Sequence, residues 1–187
     1  MAKQSIGDNF TYPMPVVIVG AVINGSPNFM TAAWFTTLNF APPLIGISLG
    51  KDRHTTQGVL ETGQFSINLP GVGQVALADY CGLVSGRDEN KAAQIDVFFG
   101  SLPSAPMVGQ CPLTMECRVT QTVELPDHHF FVAEIAGVHC EEAVLTGGKV
   151  DLEKLQPFVL SMPGVAYKAL GEHVGDAWEI GKALRAK

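Results

Sequence analysis

From Asn9 to Gly50 the chain carries no Asp, Glu, Lys or Arg. A charge-free stretch of that length suits either a bilayer or the interior of a folded domain. Its longest wholly apolar part, Pro13 to Ile23, is 11 residues, against the roughly 20 that a membrane-spanning helix needs. Asn24-Gly25-Ser26-Pro27-Asn28 then imposes a turn, because Gly supplies positive φ and Pro presets its own. No membrane association is expected, and the stretch reads as a set of buried strands.

Val16 to Ile23 is short and rich in β-branched residues, which predicts a strand buried on both faces. A second strand is expected over roughly Phe29 to Phe35. Ala41-Pro42-Pro43 breaks the pattern, and a third strand follows over Leu44 to Leu49, with Gly46 marking a bulge or a close backbone approach. Thr55 and Thr56, then Val59, Leu60 and Gly63, predict a short helix begun by a Thr cap and stopped by the glycine. Phe65 to Leu69 alternates as a fourth strand, and short helices are expected over Gln74–Tyr80 and Glu89–Ile95. The clearest period-2 signal sets Met115, Cys117, Val119, Val123 and Leu125 on a buried face, with Glu116, Arg118, Thr120, Thr122 and Glu124 on an exposed one. Pro126-Asp127 turns this strand into a partner over His129 to His139, and Asp176 to Lys187 reads as a closing helix. Many strands, few short helices and no strand-helix alternation predict a mainly β (α+β) fold, a closed antiparallel β-barrel in a single domain over 1–187.

The formal charge of −6 and pI near 5.3 argue against a nucleic-acid partner, whose phosphates require clustered Lys and Arg. Cys81, Cys111, Cys117 and Cys140 are spaced for neither a zinc site nor a disulfide scaffold, so free thiols in the cytoplasm are expected. The N-terminus has no apolar core of the kind a signal peptide carries. Dinucleotide, P-loop, nucleophile-elbow and metalloprotease motifs are absent from the sequence. None of the five histidines has metal-ligand spacing, and no metal is expected. His128 and His129 fall on opposite faces of a strand and read as surface residues flanking the turn.

Four segments carry a more specific signal: Asn28-Phe29-Met30-Thr31-Ala32-Ala33-Trp34, Pro42-Pro43 to Leu49, Arg53-His54-Thr55-Thr56, and Phe65-Ser66-Ile67-Asn68. In this order they resemble the flavin reductase-like, FMN-binding split-barrel family, and within it the flavoredoxins. Ser85 to Lys91 and Tyr167 to Gly171 extend the likeness over nearly the whole chain. The resemblance implies an antiparallel Greek-key split barrel that holds FMN, with NAD(P)H or a redox protein as partner. It also implies a homodimer with each flavin at the subunit boundary. It assigns the cofactor contacts to Asn28, Thr31, Ala32, Ala33, Trp34, Ser48, Leu49, Gly50, Arg53, His54, Thr55, Thr56, Arg87 and Lys91.

Elementary chemistry is compatible with that assignment. A flavin phosphate wants helix N-terminal N–H groups, hydroxyls and cations, as Arg53 to Thr56 can supply. The ring system wants neutral hydrogen-bonding edges and flat apolar walls, as Thr31 to Trp34 and Ser48 to Gly50 can supply. On the residues alone, Thr55 and Thr56 serve equally as helix caps, Trp34 as core, Arg87 and Lys91 as solvated loop charges, and Asn28 and Asn68 as backbone satisfiers. The redox chemistry would reside in the flavin, so no side-chain acid or base is required. Two functions remain open: an FMN-dependent oxidoreductase fed by NAD(P)H, and an FMN-holding electron carrier without NAD(P)H activity of its own; a third, a barrel that has lost the flavin and serves as a binding module, is disfavoured by the retained Thr31 to Trp34 and Arg53 to Thr56 segments.

Overall fold

The computed structural model describes residues 3–8, 12–162 and 164–185. Its first six strands are β1 (Pro13–Pro15), β2 (Val17–Ile23), β3 (Ser26–Ala32), β4 (Phe35–Asn39), β5 (Leu44–Gly50) and β6 (Gln64–Leu69). Then follow β7 (Val97–Phe98), β8 (Met107–Val108), β9 (Leu113–Glu124) and β10 (His128–Cys140), and last β11 (Leu145–Thr146), β12 (Lys149–Val150), β13 (Phe158–Ser161) and β14 (Ala166–Ala169). The helices are α1 (His54–Thr62), α2 (Val75–Leu83) and α3 (Leu152–Leu155).

The main sheet has the order β3-β2-β6-β9-β10-β5-β4, and all its pairs are antiparallel. β2 pairs with β6, and β5 with β10, across long stretches of chain, the crossed connection of a Greek key. β3 and β4 are consecutive in the chain yet form the two opposite edges of the sheet. The ladder is therefore split at Ala33 and Trp34, which join them.

The strand expected over Phe29 to Phe35 divides at this split. Asn24 and Gly25, both at positive φ, close a two-residue hairpin in which Ile23 faces Ser26, the geometry that Asn-Gly favours. β3 consequently starts early and ends at Ala32, and the chain leaves β2 to pair Phe35 with Ile47 on β5.

β2 is buried on both faces, as its composition predicts. Val17, Val19 and Ala21 meet Ile45, Ile47, Leu49, Phe65, Ile67, Cys117 and Phe131 inside the barrel. On the outer side, Ile18 and Phe29 pack with Ala78 and Cys81 of α2 and with Val108 and Phe158. Within β9, Cys117 is buried and Met115 and Val119 pack against the core, but Val123, and Leu125 just beyond the strand, are exposed.

The opposite face of β9 corrects the reading of Glu116 as exposed: it is 2% exposed. A row of polar side chains on β6 and β9 holds the 101–108 loop over this face. Gln64 Oε1 accepts from Ser104 N–H, Asn68 Oδ1 from Val108 N–H, and Ser66 donates to the Pro106 carbonyl. Glu116 accepts from the N–H groups of Ser101 and Leu102 at 3.1 and 2.6 Å, and from the Ser101 hydroxyl. His139 Nε2 lies 3.4 Å away. A one-residue bulge places Gly137 opposite Glu116, and a Cβ there would fall 2.6 Å from the carboxylate. Alternation reads the strand correctly but cannot see that a distant loop covers its outer face.

Other expectations change in form. α1 ends at Gly63 in the left-handed region, with φ 64°, but no threonine caps its start: Arg53 is the N-cap and makes no side-chain cap bond. The segment over Glu89–Ile95 shortens to a 3-10 turn at Lys91–Gln94. The expected closing helix is a 3-10 turn at Ile180–Leu184 with no buried residue, consistent with the weakness of short helices that bury no face. Residues 186 and 187 of that expectation lie outside the described residues. All four cysteines are free thiols. Among the described residues, no helix is long and apolar enough to cross a membrane.

Candidate functional site

A cleft of about 410 Å³ opens where the split in the sheet meets the N-terminus of α1 and the loop after α2. The volume lies in the range of small-molecule sites. Twelve of the fourteen residues expected at the site line it: Thr31, Ala32, Ala33, Trp34, Ser48, Leu49, Gly50, Arg53, His54, Thr55, Arg87 and Lys91. The remaining two stand behind its wall.

Those two explain how the wall is built. Asn28 is buried and donates from Nδ2 to Thr55 Oγ1 at 2.8 Å. A hydroxyl that accepts from Asn28 keeps its own proton to give to the cleft. Asn28 also supports the loop above it, since a Cβ on Gly86 would fall 2.1 Å from Asn28 Oδ1. Thr56 is fully buried and donates to the Gly50 carbonyl at 2.9 Å, which ties α1 to the end of β5. Neither threonine is a helix cap.

Positive charge gathers around the start of α1. The first turn of α1 has no side-chain cap and no acidic residue, so the positive end of its dipole stands beside Arg53, His54 and Thr55 in the cleft wall. Arg87 reaches back to donate to the Asp52 carbonyl at 2.9 Å. Arg53 Nε lies 3.7 Å from Asp52 Oδ1, an exposed pair of little energetic weight.

Lys91 is not the solvated loop charge its neighbours suggested. It is 2% exposed, and its ammonium donates to the carbonyls of Cys81 and Val84, both at 3.0 Å. These are carbonyls at the C-terminal end of α2, where a cation is favoured. Burial pulls the Lys91 pKa below its ordinary value, with Cys81 opposing and Arg53 adding to the pull. Burial pushes the Cys81 thiol up to about 11, so it stands protonated at neutral pH. Tyr80 donates to Glu89 at 2.6 Å, a second tie between α2 and the loop that carries Arg87.

Another part of the wall carries no formal charge. Thr31 to Trp34 and Ser48 to Gly50 form it from β3 and β5, and the Ser48 N–H donates to the Trp34 carbonyl at 2.9 Å across the split. The Thr31 hydroxyl donates to the Ala78 carbonyl, leaving its oxygen to accept. Gly82 and Met30 complete this part.

Sequence reasoning missed His128. Local pattern makes it a surface residue beside the turn, yet it lines the cleft and its ring lies 4.7 Å from the Trp34 indole, tilted by 36°. The pairing of His128 with Gly50 in the β5–β10 ladder puts it there, a contact between positions far apart in sequence. His129 faces away, as alternation requires; its Nδ1 is buried without a hydrogen-bond partner among the described residues. Lys51 turns outward to Glu124 at 2.7 Å. Asp52 and the Cys81 to Ser85 run are further wall residues without a motif of their own to reveal them.

Comparison with known proteins gives the same direction. Residues 10–154 match the model of the "Flavin reductase like domain". A solved structure of flavoredoxin from Methanosarcina acetivorans is 42% identical, covers 99% of this chain and 100% of that one, and superposes with a TM-score of 0.96. An FMN-binding protein from Thermus thermophilus, solved with bound p-hydroxybenzaldehyde, is 25% identical over 94% of this chain and 98% of that one, with a TM-score of 0.78. Among curated proteins, the NADH-dependent FAD reductase of Streptomyces globisporus is 28% identical over 140 residues, 71% of each chain.

Proposed function

The chain belongs to the flavin reductase-like domain family, and from that premise we propose that it is an FMN-holding oxidoreductase. It moves electrons between NAD(P)H or a protein donor and a flavin or other acceptor. The observation that carries this reading is the polarity of the cleft. Arg53, Arg87, Lys91, the Thr55 hydroxyl and the uncapped start of α1 line the cleft, and such groups favour a phosphate dianion. Thr31 to Trp34 and Ser48 to Gly50 add uncharged walls to the same cleft, suited to an uncharged planar ring system. A flavin mononucleotide has that distribution of charge, and the FMN-binding relative supports FMN as the flavin.

The flavin, when bound, supplies the redox chemistry. The chain's own residues bind and orient it. Arg53 and Arg87 pair with the phosphate, and the Thr55 hydroxyl donates to it. Asn28 holds Thr55 in place, and Lys91 fixes the end of α2 and the loop above. Trp34 and His128 cover the uncharged part of the cleft and limit water there. A homodimer with the cleft near the subunit boundary is part of the proposal, and the exposed Phe40, Val174, Trp178 and Leu184 support it, being apolar side chains that an interface would cover.

Greater likeness to the flavoredoxin than to the NADH-dependent reductase favours a second arrangement: an electron carrier that takes electrons from a reduced protein and has no NAD(P)H turnover of its own. One sample decides between them. The absorption spectrum is recorded on purified protein, again after desalting, and then during anaerobic addition of NADH and NADPH. Retained flavin that bleaches rapidly with either nucleotide establishes the reductase. Bleaching only by dithionite or a reduced protein establishes the carrier. A colourless protein that takes up no FMN overturns both.

A further inference from the structure

A second cavity of about 370 Å³ lies across Trp34 from the cleft, and Ala33, Trp34 and Ser48 line both. Aromatic rings surround it: Trp34, Phe35, Phe130 and Tyr12, the last from the segment leading into β1. Among the described residues its lining carries no Asp, Glu, Lys, Arg or His, so a charged ligand would find no ionic partner there.

The position of one of these rings is built into the backbone. A Cβ on Gly46 would fall 2.5 Å from Phe130 Cζ and 3.0 Å from Leu38 Cδ1, so Phe130 lies over β5 only because residue 46 has no side chain. The sequence marks Gly46 for a bulge or a close backbone approach; the groups that crowd it are instead the Phe130 and Leu38 side chains. The partition is held as well: Ser48 N–H donates to the Trp34 carbonyl, and the indole rests against His128 on the cleft side. Ser48 lines it from β5, and its hydroxyl can donate to a carbonyl oxygen at a ring edge.

We propose that this cavity binds a neutral planar aromatic carbonyl compound of the quinone class, one residue's thickness from the cleft. Flat rings without charge stack on aromatic walls at favourable energy. Its role as electron acceptor rests on the flavin reading, whereas its binding does not. A quinone takes up two electrons and two protons to become a hydroquinone, the complement that a two-electron-reduced flavin gives up on returning to its oxidised form.

The test is equilibrium dialysis of menadione against the protein as purified and after FMN loading, for wild type, Phe130→Ala and Tyr12→Ala. Tyr12 is 55% exposed, so its variant stays informative even if Phe130→Ala fails to fold. Menadione affinity is expected to fall at least fivefold in each variant, with the FMN Kd within twofold of wild type. Menadione that does not bind, binds equally to both variants, or is displaced one-for-one by FMN overturns the proposal. A protein that binds menadione in this manner but never binds FMN overturns the flavin reading alone.

Discussion

Replacing Gly86 by Ala puts a Cβ 2.1 Å from Asn28 Oδ1, 2.6 Å from its Cγ and 2.8 Å from its Nδ2. All three atoms of the carboxamide are too close for one to give way alone. Asn28 is 7% exposed and its partner Thr55 is 1% exposed, so there is little room to retreat, and the 2.8 Å bond between them is lost or the loop lifts. Leaving a buried polar pair unsatisfied costs about 1–3 kcal/mol. If that cost falls on the bound state, the FMN Kd rises about 5- to 150-fold, since each 1.4 kcal/mol is tenfold. The assay is a flavin-fluorescence titration of flavin-free protein, with urea unfolding alongside to find any share paid in stability. A double-mutant cycle with Asn28→Ala isolates the contact, because without the carboxamide the new methyl has nothing to strike. Strict additivity of the two substitutions, or a Gly86→Ala protein with unchanged Kd and unchanged stability, would refute the reasoning.

Three further outcomes are expected. Glu116→Gln removes a buried carboxylate that accepts from Ser101 and Leu102 and should destabilise by about 2 kcal/mol at pH 7 in urea unfolding, the range for charge-assisted hydrogen bonds. Burial pushes the Glu116 carboxyl up, but the hydrogen bonds from Leu102 and Ser101 outweigh it and hold the group below its ordinary 4.5. A pKa lower in the folded state means stability present above pH 4.5 and lost as pH falls through the folded value, so the gap between wild type and Glu116→Gln should close in acid. Lys91→Met strips the donors from the Cys81 and Val84 carbonyls and should cost about 1–2 kcal/mol of stability by denaturant titration. Arg87→Ala removes an exposed cation from the cleft rim, and FMN binding should weaken roughly fivefold and lose part of its salt dependence, measured between low and physiological ionic strength.

The degree to which the site was legible in the sequence follows from how each residue does its work. Arg53, His54 and Thr55 are consecutive and start a helix, and Thr31 to Trp34 end a strand, so local pattern together with family resemblance located them, and the cleft contains them. Asn28 and Thr56 were placed in the same site but act from behind its wall, a distinction that depends on which side of the strand and helix the cleft opens. Lys91 read as a loop charge, because nothing in Asp88-Glu89-Asn90-Lys91 shows that the C-terminal carbonyls of α2 will surround its ammonium. His128 belonged to a turn by every local measure and reached Trp34 only through the β5–β10 register.

The sequence by itself determined β2, β5, β6, β9 and β10, the two-sided burial of β2 and the turn at Asn24-Gly25, because hydrophobic period and turn chemistry act between neighbours in the chain. Of the charge-free stretch it marked as interior, β2 and most of β5 are buried, whereas Leu38 and Phe40 are exposed. Only the tertiary structure decided that Glu116 is covered, that β3 and β4 become opposite edges, and that Trp34 divides two cavities. Those outcomes depend on contacts between residues distant in the chain, where loop placement and strand order, not local propensity, set what each side chain meets.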